Sequence, residues 1–144
     1  MVDIGDKPIT ARLAVARVRL HMQPATLRVL ISGKAKKGDV LAVARVAGIQ
    51  AAKRTPELIP LCHAIALTRS EILFQPRPRH GLLEIEARIS ALDRTGAEME
   101  ALTAAAIAAL TVYDMLKAID RGMRIEQLGL HEKRGGKSGT WKRN

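Results

Sequence analysis

LEIEARISA, residues 83–91, alternates without a break: Leu83, Ile85, Ala87 and Ile89 fall on one side of an extended chain, and Glu84, Glu86, Arg88 and Ser90 on the other. Successive side chains of a strand point to opposite faces, so this run predicts a β-strand with one face in a core and the other toward water. Residues 65–75 carry a second strand-like run. Between the two lies PRPRHG, residues 76–81, punctuated by two prolines and a glycine that favour a turn. The two runs are expected to form an antiparallel hairpin.

Upstream, RLAVARVRL (residues 12–20) mixes small apolar and basic residues and reads as an edge strand, where charges discourage stray pairing. Residues 23–31 suit a short helix, with Pro24 in its first turn and Gly33 beyond its end. Asp39 is a natural N-cap for a second helix reaching Arg54, in which Val40, Val43, Ala47 and Ala51 recur at helical spacing. Thr55-Pro56-Glu57 can start one more turn, but Pro60 follows closely, so IPLCHA (residues 59–64) is expected to be an irregular connection. Downstream of the hairpin, Gly96 precedes a long helix to about Asp120, closed by Gly122, and residues 124–130 make a last strand. Strand, helix, helix, hairpin, helix, strand is the order of an α+β sandwich, with helices on one face of an antiparallel sheet of about four strands. Residues 1–132 are read as a single α+β domain and residues 133–144 as a basic, glycine-containing flexible tail. A sheet this small beside an Ala-rich helix buries little area per chain, which favours self-association.

With 47% apolar and 26% charged residues, the composition is that of a globular chain and not a disordered one. The Ala-rich run 101–113 is too short and too closely flanked by charge to be read as a membrane span, and the N-terminus lacks the order of a signal peptide. The expected compartment is therefore cytoplasmic, with no membrane partner. The single cysteine, Cys62, rules out an intramolecular disulfide. A net charge of +10, from 24 Lys and Arg against 14 Asp and Glu, calls for an anionic partner. Three aromatic residues, Phe74, Tyr113 and Trp141, equip a strand-binding surface poorly, which favours a small phosphorylated ligand over nucleic acid.

Gly136-Lys137-Ser138 invites a phosphate-loop reading, but His131 stands where the loop's first glycine belongs, and too few residues follow to build the required helix. The stretch is better suited to a basic flap over an anion. On the long helix, Asp114 and Lys117 are three residues apart and share a face. They form either a surface ion pair or a carboxylate that positions an ammonium for proton transfer. Glu100 lies fourteen residues earlier, about 21 Å along the axis, so a site using both ends of this helix would need a second chain to complete it. Lys37, with Lys34 and Lys36, precedes a helix N-terminus and suits a phosphate; a solvated basic loop reads equally well. His63 in its loop is a candidate proton carrier, Cys62 beside it leaves a thiol nucleophile open, and no spacing suggests a structural metal site. A basic nucleic-acid-binding module and a subunit without chemistry are the competing readings.

Three segments carry a resemblance: KGDVLAVARVAGIQAAKRTPELIPLCH (residues 37–63), TGAEMEALTAAAIAALTVYDMLKAIDRGM (residues 95–123) and GGKSG (residues 135–139). In their order, and with the opening MVDIGDKPITAR, the chain resembles the cyclic pyranopterin monophosphate synthase family, the molybdenum cofactor biosynthesis protein C family. The resemblance implies a ferredoxin-like α+β protomer in a hexamer built as a trimer of dimers, with active sites at the dimer interface. It implies a lyase that converts 3′,8-cyclo-7,8-dihydro-GTP to cyclic pyranopterin monophosphate with release of pyrophosphate. No redox cofactor is implied, and Mg2+ enters only with the triphosphate. It casts Asp114, Lys37, Lys117 and His63 as catalytic, with Lys37 as a general acid whose pKa nearby cations and partial burial would lower. Leu61, Cys62, His63, Met99 and Glu100 become substrate-binding, and Arg12 and Lys133 phosphate contacts, with Lys137 helping. The chain departs from the pattern at Ala64, where the family has proline, and in the tail residues EKRGGKSG. Neither departure touches Lys37, His63, Asp114 or Lys117.

Overall fold

The computed structural model describes residues 1–144. In chain order the elements are β1 (Thr10–His21), α1 (Pro24–Ser32), α2 (Val40–Lys53), α3 (Thr55–Leu58), β2 (Leu67–Arg77), β3 (Leu82–Asp93), α4 (Glu98–Leu116), β4 (Arg124–Arg134) and β5 (Trp141–Lys142). The five strands form one antiparallel sheet in the order β2-β3-β1-β4-β5, with the helices packed against it. The α+β, ferredoxin-like architecture is the expected one, with one strand more.

The hairpin forms as its alternation requires: Ile72 faces Ala87 and Phe74 faces Ile85 across β2 and β3. Leu83, Ile85, Ala87 and Ile89 are buried, and on β1 so are Ala14, Ala16, Val18 and Leu20. β1 is central, not an edge strand, because it pairs with β3 on one side and β4 on the other. Its arginines are not edge guards. Arg17 bonds Glu86 and Arg19 bonds Glu84, both carboxylates standing on the outward face of the neighbouring β3. The fifth strand comes from the C-terminal residues: Trp141 pairs with Lys133 and Lys142 with Glu132, and the proposed boundary at residue 133 falls inside β4.

Small residues let the helices sit close. α4 buries Ala101, Ala104, Ala105, Ala108 and Ala109, and α2 meets it at Gly48, where an added Cβ would come within 3.0 Å of the Ala104 carbonyl oxygen and 3.1 Å of Ile72. By length and composition α4 is apolar enough to cross a membrane, but its buried face packs on the sheet and on α2 in the core. Gly48→Val is expected to force the two helices apart and to cost about 2 kcal/mol, a fall in Tm of roughly 5–10 °C. Thermal denaturation checks this, and an unchanged Tm would mean that the contact carries no strain.

Two caps fix the segment leading to α2. The Asp39 side chain accepts from the Ala42 amide, as expected of an N-cap. The start of α1 is capped from across the chain, where buried Asp120 accepts from the Gln23 amide at 2.8 Å and from Thr26 Oγ1 at 3.1 Å. The loop between α1 and α2, which carries Lys34, Lys36 and Lys37, thus runs between two capped helices, and its Lys37 reaches the C-terminal end of α4.

Candidate active site

At that end of α4 the sequence-predicted residues meet. Asp114 Oδ2 accepts from Lys37 Nζ at 2.8 Å, and Asp114 Oδ1 pairs with Lys117 Nζ at 2.7 Å. Lys37 also donates to the Asp114 carbonyl. One carboxylate thus holds two ammoniums, one from a loop 77 residues away and one from its own helix. The hydrogen bonds from Lys117 and then from Lys37 hold the Asp114 carboxyl down at about 2. Lys117 is shifted the other way: its hydrogen bond and charge attraction to Asp114 raise its pKa. About half of the Lys117 side chain is exposed, and its nearest partner is an anion.

The other candidates gather at the opposite end of the helix. Glu100 is buried and its Oε2 has no hydrogen-bond partner, while Oε1 accepts from Cys62 Sγ at 3.7 Å. Burial pushes the Glu100 carboxyl up, with Glu98 and Asp93 adding repulsion. The Cys62 thiol is also raised, first by burial and then by Glu100. A thiol with a raised pKa is a poor nucleophile. Its contact with His63 is to the backbone carbonyl, so the pair does not form a thiol–imidazole dyad. Leu61 is exposed, His63 partly so, and Met99 is open at the first turn of α4.

Lys133 pairs with Glu98 at 3.2 Å, and Arg12 donates to the carbonyls of Asp93 and Arg94. The tail turns directly over Arg12: Gly135 and Gly136 have positive φ, and a Cβ on Gly136 would collide with the Arg12 guanidinium. Lys53, Pro56, Ala64 and Glu100 line a cavity of about 270 Å3 beneath this end. Of these residues the sequence gives no sign of Lys53, the last residue of α2, and shows Glu98 only as a first-turn acid that suits the helix dipole. No group of three His, Cys, Asp or Glu side chains is gathered so as to hold a metal ion.

Within one chain the two clusters stay apart, since the stretch of α4 between Glu100 and Asp114 spans about 21 Å. Its outward stripe is Met99, Thr103, Ala106 and Leu110, uncharged, with two small residues between two large apolar ones and the polar clusters at its two ends.

Glu100 gives a pH-dependent prediction. A carboxyl whose folded pKa is raised contributes stability that is fully present below its unfolded value and is lost as pH rises through the folded one. Glu100→Gln removes the charge, so its Tm is expected to match that of the parent chain at pH 4 and to exceed it by roughly 3–5 °C at pH 8. Equal values at both pH settings would show that the buried carboxylate carries no penalty.

A model of the MoaC family matches residues 1–136. The cyclic pyranopterin monophosphate synthase of Thermomicrobium roseum is 62% identical over 143 residues, covering 99% of this chain and 86% of its own. The enzyme of that name from Chloroflexus aurantiacus is 61% identical, covering 99% and 88%, and that from Rhodospirillum rubrum 56%, covering 98% and 85%. With its fold, its paired lysines and this identity along almost its full length, the chain belongs to the MoaC family.

Proposed function

We infer that this chain performs the cyclic pyranopterin monophosphate synthase reaction of molybdenum cofactor biosynthesis, converting 3′,8-cyclo-7,8-dihydro-GTP to cyclic pyranopterin monophosphate and pyrophosphate. The observation that carries the reading is the Asp114 carboxylate gripped by Lys37 and Lys117, in a chain 62% identical to an enzyme of that name. The reaction opens the imidazole part of a purine, rebuilds it as a pyranopterin and closes a cyclic phosphate by attack of a sugar hydroxyl on the α-phosphorus. Every step moves protons or stabilises oxyanions, for which ammoniums and an imidazole suffice.

In this reading Lys37 is the general acid for ring opening, Asp114 orients both ammoniums, and Lys117 exchanges a proton or steadies the departing phosphates. His63 carries a proton at the other end of the substrate. Leu61, Cys62, Met99 and Glu100 seat the ring system, while Arg12 and Lys133 take phosphate oxygens. No redox step is needed, and any Mg2+ travels on the triphosphate.

Two observations support completion of the site by a second copy. The Lys37–Asp114–Lys117 cluster is about half exposed on one chain, so solvent screens it. A two-fold axis near Ala106 would set two α4 helices antiparallel through their outward stripes and bring each Asp114 to the partner's Met99 end. Three such dimers make the hexamer, working in the cytoplasm. The test is turnover of 3′,8-cyclo-7,8-dihydro-GTP by the purified full chain, following pyrophosphate and the pterin. Formation of both products is expected. Folded, oligomeric protein that forms neither would overturn the reading.

A further inference from the structure

The face of the sheet away from the helices holds a second concentration of cationic groups that the reaction above does not use. A basin of about 350 Å3 opens there, lined by Arg17, Arg19 and Arg143 with Gln127, Gly129 and His131, and with Glu84 as its one acid. Its arginines are fixed from behind. Arg17 Nε bonds Glu86 at 2.5 Å and its Nη1 lies 2.6 Å from His131 Nε2. Arg19 Nε bonds Glu84 and its Nη1 bonds Gln127, while Arg143 Nε donates to the Leu130 carbonyl at 2.8 Å. These bonds leave Nη2 of Arg17, Nη2 of Arg19 and both Nη groups of Arg143 without a partner in the chain. Guanidinium groups anchored through Nε, with terminal N–H groups free, are preorganised for an oxyanion.

The backbone that shapes the basin is irregular in several independent ways. The β1–β4 pairing slips between Val15 and Ala16 and again between Arg17 and Arg19. Gln127 is the one residue other than glycine with positive φ, at 54°. Gly129, inside a strand, leaves room that a side chain would take: a Cβ there would come within 3.0 Å of Arg143. Bulges and sparsely populated backbone conformations cluster where a strand re-aims side chains for function. The chain after β4 adds to this arrangement, since the Arg143 amide bonds the His131 carbonyl and the guanidinium lies over Trp141 at 6.0 Å.

The carboxylates nearby are already shared out. Glu84 takes both Arg19 and Arg77, and Glu86 takes both Arg17 and Arg88. Burial alone would raise the Glu86 carboxyl, but the hydrogen bonds from Arg17 and Arg88 overrule it and hold it below its usual range. Each acid serves two cations, so the face keeps an excess of positive charge. A nucleic-acid strand would need cations along a track and several stacking rings, whereas these donors converge on one hollow with two apolar residues, Val18 and Leu128, in its wall.

We propose that this basin is a binding site for a small, multiply charged phosphate anion held by Arg17, Arg19 and Arg143, separate from the Lys37–Asp114–Lys117 site. The inference does not rest on the synthase reading, because its readout is binding. The experiment is calorimetric titration of the full chain with inorganic pyrophosphate at low salt without Mg2+, in a Lys37→Ala/Lys117→Ala background that removes the other cationic cluster. One pyrophosphate per chain is expected to bind in that background. Adding Arg143→Gln should weaken it at least tenfold, and Arg19→Gln should weaken it similarly. Arg143 is exposed near the C-terminus, so its replacement leaves folding intact, and the Tm of the variant confirms that. Loss of all binding in the Lys37→Ala/Lys117→Ala chain, or binding indifferent to Arg143→Gln and Arg19→Gln, would overturn the proposal. So would a short DNA duplex that binds through the same arginines more tightly than pyrophosphate.

Discussion

Asp114→Ala is expected to lower kcat by about 10³-fold, with a smaller change in KM, and Lys37→Ala to do the same. Asp114 contributes through both of its oxygens, each holding one ammonium at 2.7–2.8 Å. Alanine releases both lysines at once, and two unpaired cations on flexible stems then sample many geometries instead of one. Asn keeps the shape but loses the charge and one acceptor, so Asp114→Asn should fall close to Ala. Steady-state turnover of the cyclised GTP substrate measures this, and a loss under tenfold would reduce the cluster to a surface ion pair.

The same cluster has a titration signature. A depressed carboxyl contributes stability that is present above its unfolded value and is lost as pH falls through the folded one, here between the ordinary 3.8 and about 2. Asp114 is therefore ionised throughout any neutral assay range, and an acid limb in the rate near neutrality belongs to another group. Lys117→Ala should move the Asp114 midpoint, followed by carboxyl NMR, from about 2 back toward 3.8.

Mixing two dead chains is expected to restore activity. Lys37→Ala removes the cluster at the C-terminal end of α4, and His63→Ala removes a group at the other end. If each site takes one end from each chain, a mixed dimer has one site carrying both lesions and one intact site. Random reassociation makes half of the dimers mixed, so activity should return to about a quarter of the parent value. Rise from near zero to that level, after dissociation and reassembly, would establish sites shared between chains. No recovery in dimers shown to be mixed would place the whole site within one chain and would require a substrate that bridges about 21 Å.

Local spacing made much of the fold and part of the site legible. The alternation of 83–91, the turn PRPRHG and the Asp39 cap each act over a few residues, and each element formed within a few residues of its expected place. Asp114 and Lys117 could be paired from helical geometry alone, and Lys37 could be set beside a helix start. That Lys37 reaches Asp114 could not be read this way, because the contact closes a loop of 77 residues and depends on where Asp120, far along the chain, anchors the start of α1.

The amino-acid sequence by itself determined the element order, the helical and extended faces, the excess of positive charge and the pairing of Asp114 with Lys117, since all of these follow from neighbours along the chain. Only the tertiary structure decided that β1 is central, that Trp141–Lys142 adds a fifth strand, that Glu100 is buried with an unpaired oxygen and that Lys37 reaches Asp114. Arg17 and Arg19 look like edge charges until the carboxylates of β3 stand beside them, and the Asp114 carboxyl is held down in part by a lysine 77 residues away. Pairing, burial and electrostatics are sums over residues distant in sequence, which no local pattern contains.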